Sequence, residues 1–143
     1  MYTVQVLGIN EAMRALNVML EEANKEPQRP LAFAIVDHLG ELVCCARMDR
    51  TGANTPRVAL RKAYTSARNR NSSKAWGEGI KSRGMSLSDY GDPLLIPFQG
   101  GLPIMAEDGT CLGGIGVSGR RAEEDEAVAE IGLKAMQLAA ARK

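Results

Sequence analysis

Two groups of arginines in this sequence have the spacing and surroundings needed to bind the anionic group of a small molecule. Arg47 ends a predicted strand just before Asp49, and Arg120 and Arg121 precede the acidic first turn of the last predicted helix. An arginine can hold a carboxylate through two parallel hydrogen bonds, and a helix N-terminus adds free N–H groups and partial positive charge. We therefore predict that these arginines, with Ser118, contact a bound carboxylate or phosphate.

Structural roles are open to the same residues. Arg47 can pair with Asp49 to hold the junction between strand and loop. Arg120 and Arg121 can instead pair with a neighbouring subunit, or with the nearby acids Glu123, Glu124 and Asp125.

Proton transfer is the chemistry that we predict for Asp49, Lys62 and Thr65. Asp49 is a candidate general base. Lys62 and Thr65 lie three residues apart on a predicted helix and therefore share a face. A lysine beside a desolvated pocket can act as a base or as an amine nucleophile, whereas on an open helix surface it is simply solvated.

Glycines are concentrated between residues 98 and 119. Gly100, Gly101 and the run from Gly113 to Gly119 could offer backbone N–H groups to an oxyanion, or could allow tight packing of a helix on a sheet. The pattern is neither a P-loop nor a dinucleotide fingerprint, because GxxxxGK[ST] is absent and no GxGxxG opens a helix.

His38, the only histidine, is the one residue that we consider as a heme ligand, and it lies in a predicted turn. Met48, Cys44 and Tyr64 have ligating side chains without positional support. The three cysteines have no metal-binding spacing and are expected to be reduced, so no metal site is predicted.

The composition is that of one globular domain, which we place over residues 1–143. The formal net charge of +1 gives no case for nucleic acid. No apolar stretch approaches the roughly 18–20 residues of a membrane span and no signal peptide is evident, so a cytoplasmic location is expected. Cations dominate from Arg57 to Arg83 and acids dominate later, which favours complementary subunit contacts or an anionic ligand.

The periodicity of apolar residues predicts an α+β fold in the order α-β-β-α-β-β-β-α. The stretch from Asn71 to Tyr90 is predicted to be irregular, with a short helical turn around Trp76. The predicted helices are 9–23, 55–69 and 122–141, and the predicted strands are 31–36, 42–47, 94–96, 102–105 and 111–117.

Several motifs resemble the GlcG/HbpS-type heme-binding-like domain family, which also supplies the C-terminal domain of PduO-type corrinoid adenosyltransferases. They occur in the family's order over nearly the whole chain. The matching pieces are Ile35-Val-Asp37, Arg47-Met-Asp49, Lys62-Ala-Tyr-Thr65, Phe98-Gln-Gly-Gly-Leu-Pro-Ile104, and Gly113 to Gly119 with Asp125-Glu126. The chain departs from the pattern at Arg120-Arg121, where the usual N-cap hydroxyl is missing, and over Asn71–Pro93.

The resemblance implies a profilin- or PAS-like sheet of five antiparallel strands backed by helices. It also implies homo-oligomers, from dimers to octamers, and proximity to catabolic genes. Heme is a possible cofactor by resemblance alone, since nothing in the residues requires one.

We therefore expect a small-molecule-binding accessory protein or enzyme of a catabolic pathway, whose pocket takes a small organic acid, aldehyde or imine. If it is an enzyme, proton-transfer, hydrolytic or lyase-type chemistry on a small carbonyl or imine compound is expected. The alternatives are a heme- or corrinoid-binding module and a structural oligomer.

Overall fold

The computed structural model describes residues 1–136 and contains four α-helices and four β-strands within them. The predicted end of the last helix, between residues 137 and 141, lies outside the described residues. In chain order the elements are α1 (Ile9–Ala23), β1 (Ala32–Asp37), β2 (Leu42–Arg47), α2 (Thr55–Asn69), α3 (Ser73–Ser82), a short 3-10 helix (Leu87–Tyr90), β3 (Gly101–Met105), β4 (Cys111–Ser118) and α4 (Ala122–Ala135).

The strands form one antiparallel sheet in the order β2-β1-β4-β3. Ala32 at the start of β1 is opposite both Arg47 of β2 and Ser118 of β4. The C-terminal ends of β2 and β4 therefore lie at the same end of the sheet. The β1–β2 turn, which contains His38, lies at the other end.

The predicted α+β class is confirmed, but the predicted fifth strand at Leu94–Ile96 is not a strand. The N–H groups of this segment bond locally or to α2 rather than to a neighbouring strand. Leu94 donates to the Asp92 carboxylate at 3.0 Å, and Ile96 donates to the Thr65 hydroxyl at 2.9 Å. A segment whose amides are used in this way cannot join a ladder.

Side chains alternate across β1, and each face of the sheet therefore has its own covering layer. Phe33 and Ile35 belong to the larger core, which they share with residues of α1 and α4 such as Met19 and Val128. Ala34 belongs to a smaller cluster on the face covered by α2. The result is a sheet with helices on both sides.

Helix α2 packs on the sheet with almost no side-chain layer between the two backbones. Ala59 and Ala63 on this helix are fully buried, and they face Gly114 and Gly116 of β4. A Cβ atom on Gly116 would collide with the carbonyl oxygen of Ala59 and lie 2.6 Å from the Ala63 nitrogen. Gly114 and Gly116 are therefore packing residues, which is the second of the two roles predicted for the glycine run.

Residues 73–82 form a regular helix, so the prediction of an irregular segment is wrong there. The Ser72 hydroxyl caps the helix by accepting the Ala75 N–H at 3.1 Å. Trp76 and Ile80, four residues apart on one face, are buried with Leu95 in a third apolar cluster. The cap and this apolar pair stabilise a helix that contains two glycines.

Within the described residues, no helix combines the length and the apolar composition needed to cross a bilayer.

Candidate functional site

An open groove of about 780 Å³ lies between α3 and the segment that leads into β3. Helix α3 forms one wall with Lys74, Ile80 and Lys81. Phe98 and Gln99 form the opposite wall, which continues to Ala122 at the start of α4. The volume is typical of small-molecule sites.

The shape of the groove depends on a close approach of α3 to the segment before β3. A Cβ atom on Gly77 would lie 2.6 Å from the Cβ atom of Pro97 and 2.9 Å from its carbonyl oxygen. The Ser73 hydroxyl, at the start of α3, bonds the Phe98 carbonyl at 2.5 Å and accepts the Gly101 N–H at 2.9 Å. These contacts fix the two walls against each other at their buried ends.

The groove combines an apolar lining with two cations. Phe98 is 56% exposed and Met85 is 39% exposed, so both side chains present apolar surface in the groove. Lys74 and Lys81 are both exposed, and the helical rise places them about 10 Å apart along the axis, at about 1.5 Å per residue. Glu78 is the one acid in the lining.

A buried ion pair lies immediately behind the groove. Lys62 of α2 and Asp125 of α4 are 3% and 2% exposed, and Lys62 Nζ lies 3.1 Å from Asp125 Oδ2. The ammonium also donates to the Val117 carbonyl at 2.9 Å. The other Asp125 oxygen accepts the Arg120 N–H at 2.9 Å.

Burial opposes the charged form of both members of this pair. It lowers the pKa of Lys62, although the nearby Asp125 carboxylate partly restores it. Burial likewise raises the pKa of Asp125, against the opposing effects of Lys62 and the Arg120 N–H. Groups with this combination of burial and a specific charged partner are candidates for functional sites, and structural ion pairs show the same pattern.

Arg120 makes hydrogen bonds that stabilise the fold, and its predicted contact with a ligand stays a prediction. Its guanidinium donates to the carbonyl of Arg29 at 2.8 Å and to those of Ala23 and Glu26 at 3.1 and 3.2 Å. These carbonyls lie at and beyond the C-terminal end of α1, where backbone acceptors lack helical partners. Arg120 therefore caps α1, and Arg121 beside it is exposed.

The predicted residues Arg47, Asp49 and Ser118 do not line the groove. Arg47 and Asp49 are both exposed at the end of the edge strand β2. Ser118 is buried and shares a row of the sheet with Arg47, with Ala32 between them. Their predicted roles in binding and proton transfer stay predictions.

The Thr65 hydroxyl and the Gly101 N–H are used in hydrogen bonds within the protein and are not free to bind a ligand. The Thr65 hydroxyl donates to the Arg61 carbonyl at 2.7 Å and accepts the Ile96 N–H. The Gly101 N–H is bonded to Ser73. Gly100 has φ +127° and lies against Lys62, so its lack of a side chain makes room for the ammonium.

His38 lies at the end of the sheet opposite the ion pair, and it does not line the groove. Between Ala32 and His38 the chain advances by roughly 20 Å, at about 3.4 Å per residue, toward the opposite end of the sheet. Its Nδ1 atom is buried without a hydrogen-bond partner among the described residues. Over residues 1–136, no cluster of three or more metal-ligating side chains is present.

Sequence reasoning missed the groove and the partner of Lys62. Lys74 and Lys81 are seven residues apart, which would have indicated one helical face if the stretch had been recognised as a helix. Asp125 was considered as a partner of Arg120 and Arg121 and as part of a family motif, but not as a partner of Lys62. Its pairing with Lys62 joins residues 63 positions apart and leaves no local signal.

Known proteins resemble this chain over most of its length. A family model described as "Haem degrading protein HbpS-like" matches residues 7–134. An uncharacterized 15.0 kDa protein from the dhaT-dhaS intergenic region of Citrobacter freundii is 30% identical over 140 residues, which cover 87% of this chain and 96% of that protein.

Solved structures give the same picture. A double mutant of HbpS from Streptomyces reticuli has a TM-score of 0.83 and 25% identity, covering 94% of this chain and 89% of that one. The PduOC:heme complex has a TM-score of 0.82 at 22% identity, covering 95% and 99%, a level of identity that shows a shared fold only.

A four-stranded antiparallel sheet with helices on both faces and a groove beside α3 defines a small α+β domain. Since the family model spans nearly all of the described residues, the chain belongs to the HbpS-like family. The resemblance noted in the sequence is thereby confirmed.

Proposed function

We propose that the protein binds heme or a related tetrapyrrole in the groove between α3 and the Phe98–Gln99 wall. The observation that carries the proposal is the combination of an open apolar groove with two lysines on one of its walls. The family's description as haem-degrading and HbpS-like supports the same ligand. This is the alternative function considered from the sequence, and the groove favours it over a pocket built from Arg47 and Arg120.

The residues of the groove fit a heme group in size and polarity. Heme is a flat apolar ring with two propionate groups on one edge. Leu87 and Phe98 offer apolar surface for the ring, and Lys74 and Lys81 would hold the propionates as exposed ion pairs.

Met85 is the lining residue whose side chain belongs to the common iron-ligating types. Heme bound there would supply the redox chemistry of its iron. The protein's own contribution would be the apolar surface, the two cations and a thioether.

A titration with hemin, followed by the Soret absorbance, tests the proposal. We compare the wild type with Lys74→Ala/Lys81→Ala and with the control Lys25→Ala/Lys134→Ala, which removes the same charge from exposed lysines outside the groove. If each propionate pair contributes about 0.7 kcal/mol, the groove variant should bind about tenfold more weakly. The control variant should keep the wild-type affinity.

Two further variants separate the candidate iron ligands. Met85→Leu should change the absorption spectrum of the hemin complex because a thioether is replaced by an apolar side chain of similar size. His38→Ala should leave both the spectrum and the affinity unchanged. Loss of hemin binding in His38→Ala, or equal weakening in the two lysine variants, would contradict the assignment to the groove.

A small organic acid is the competing ligand, because the same two lysines would bind its carboxylate. A thermal-shift series with small carboxylates, run beside iron-free protoporphyrin IX, distinguishes the two. Stabilisation by the porphyrin alone supports the tetrapyrrole. Stabilisation by one class of small carboxylate, lost in Lys74→Ala/Lys81→Ala, would assign the groove to that acid instead. Self-association, a catabolic role and a cytoplasmic location stay predictions.

A further inference from the structure

The ion pair behind the groove joins three elements of the fold through side-chain polar contacts. Lys62 belongs to α2, its second acceptor Val117 belongs to β4, and Asp125 belongs to α4. Both charged side chains are almost completely buried, so the pair is not available to solvent or to a ligand.

Two short chains of contacts connect this pair to the wall of the groove that contains Gln99 and Ala122. Gly100 packs against the Lys62 ammonium, such that a Cβ atom there would lie 2.7 Å from Nζ, and its carbonyl accepts the Val117 N–H at 3.0 Å. Gln99, the residue before Gly100, lines the groove.

The second chain of contacts runs through α4. The side chain of Gln99 donates to Glu126 at 2.9 Å, and Glu126 is adjacent to Asp125. Ala122, which also lines the groove, precedes Asp125 by one helical turn. Gln99 and Ala122 are thus both connected to the ion pair.

Buried ion pairs are weak evidence for stability, because well-packed apolar residues of similar volume often replace them without loss. Their best-supported use is to fix one arrangement among several. We propose that Lys62 and Asp125 are positioning residues that hold the Gln99–Ala122 wall at the spacing the ligand requires, without touching the ligand. This inference rests on the proposed function of the groove.

The test uses the apolar double variant Lys62→Met/Asp125→Leu in the full chain. Hydrogen exchange of a peptide spanning residues 97–101 is measured without ligand, alongside the melting temperature and the hemin affinity. We expect exchange at 97–101 to be at least tenfold faster and hemin binding at least tenfold weaker, while exchange in the core strand β1 stays as in the wild type.

Arg29→Ala is the control, because it breaks the exposed pair between Arg29 and Glu124, which is adjacent to Asp125 on α4, and it should leave both readouts unchanged. Asp125→Asn is a second perturbation of the pair itself. Its amide has one acceptor oxygen and cannot accept from both the Arg120 N–H and Lys62, so its NH2 group would face one of these donors. We expect it to lose wall protection and hemin affinity, as the double variant does.

Wild-type exchange at 97–101 and wild-type affinity in a folded double variant would overturn the positioning role. If the double variant does not fold, Asp125→Glu replaces it, because it keeps the charge but moves the carboxylate. Unchanged protection at 97–101 in that variant would equally overturn the inference. A wild type that does not bind hemin refutes the proposed ligand instead, while the exchange measurement still decides the positioning role.

Discussion

The contact between α2 and β4 predicts that Gly116→Ala is among the most damaging single-methyl additions in this protein. The new Cβ atom would collide with the Ala59 carbonyl oxygen and lie 2.6 Å from the Ala63 nitrogen. All the atoms that it meets belong to backbone. They cannot move out of the way by rotating a side chain, so the helix itself must move away from the sheet.

The size of the effect follows from the cost of over-packing. Extra methylene groups in a well-packed core typically cost about 1–3 kcal/mol, and a contact with helix backbone belongs at about 3 kcal/mol. At about 2.1 cal/mol/K per residue, the unfolding entropy of this 143-residue chain is about 0.30 kcal/mol/K. The melting temperature should therefore fall by about 10 °C, measured by circular dichroism at 222 nm.

Gly79→Ala is the matched control, because it adds the same methyl group where nothing lies within 4 Å. Replacing a glycine inside a helix by alanine stabilises by about 0.5–1 kcal/mol, so its melting temperature should rise by about 2–3 °C. A Gly116→Ala variant that melts within about 1 °C of the wild type would refute the backbone-to-backbone packing of α2 on β4.

One labelling experiment and two substitutions test the burial of Cys44 and the hydrogen bonds of Thr65 and Tyr64. Cys45 is exposed, whereas burial raises the pKa of Cys44 to about 11; a thiol reagent at pH 8 should label Cys45 quickly, and comparable labelling of Cys44 would contradict its burial. Thr65→Val removes the hydroxyl that accepts the Ile96 N–H and leaves this buried N–H without a partner. The free energy of unfolding, measured by urea titration, should fall by about 1–3 kcal/mol, and an unchanged midpoint would contradict the hydrogen bond. Tyr64 has a raised pKa because its hydroxyl donates to the Asp92 carboxylate. The free energy of unfolding of the wild type should exceed that of Tyr64→Phe by its full amount below pH 10, and this difference should disappear as the pH rises through the folded-state pKa of Tyr64. A difference that grows over that pH range would show that the pKa is not raised.

The elements with a strong apolar pattern were predicted closely from the sequence. Helix α1 and strand β2 have the predicted bounds, and β1 and β4 differ by one residue at their ends. Apolar periodicity, short apolar runs and turn residues are local features of the sequence, which is why they identify these elements. The order of the strands has no such local pattern, since it depends on how β4 inserts between β1 and β3.

The failures concern residues whose conformation is decided by distant partners. Gly77 argued against a helix, yet the close approach of Pro97 requires a residue without a side chain at that position of α3. Leu94–Ile96 has strand-like residues, but Asp92 and Thr65 take its N–H groups. In each case a tertiary contact overrides the local preference, and no local reading of the residues reports it.

The candidate site was predicted in fragments. Lys62 was predicted to act as a base or an amine nucleophile, and that role stays a prediction. The structure places its ammonium against Asp125 and the Val117 carbonyl. Arg120 was assigned to a ligand because a cation beside a helix N-terminus is costly without an anion. In the structure the guanidinium has acceptors within the protein, because it reaches the carbonyls at the end of α1. The contact with a ligand stays a prediction.

The glycine and alanine contact between α2 and the sheet also determines where members of this fold can diversify. Because Gly114 of β4 lies against the backbone of Ala63, a larger residue at Gly114 would have to displace helix α2. The contact between α2 and β4 therefore tolerates little substitution. The exposed side of α3 and the stretch that follows it are freer, since Lys74, Glu78 and Lys81 are exposed and a Cβ atom on Gly79 would meet nothing within 4 Å. Substitutions at these positions change the chemistry of the surface beside α3 without moving the backbone contacts that specify the fold.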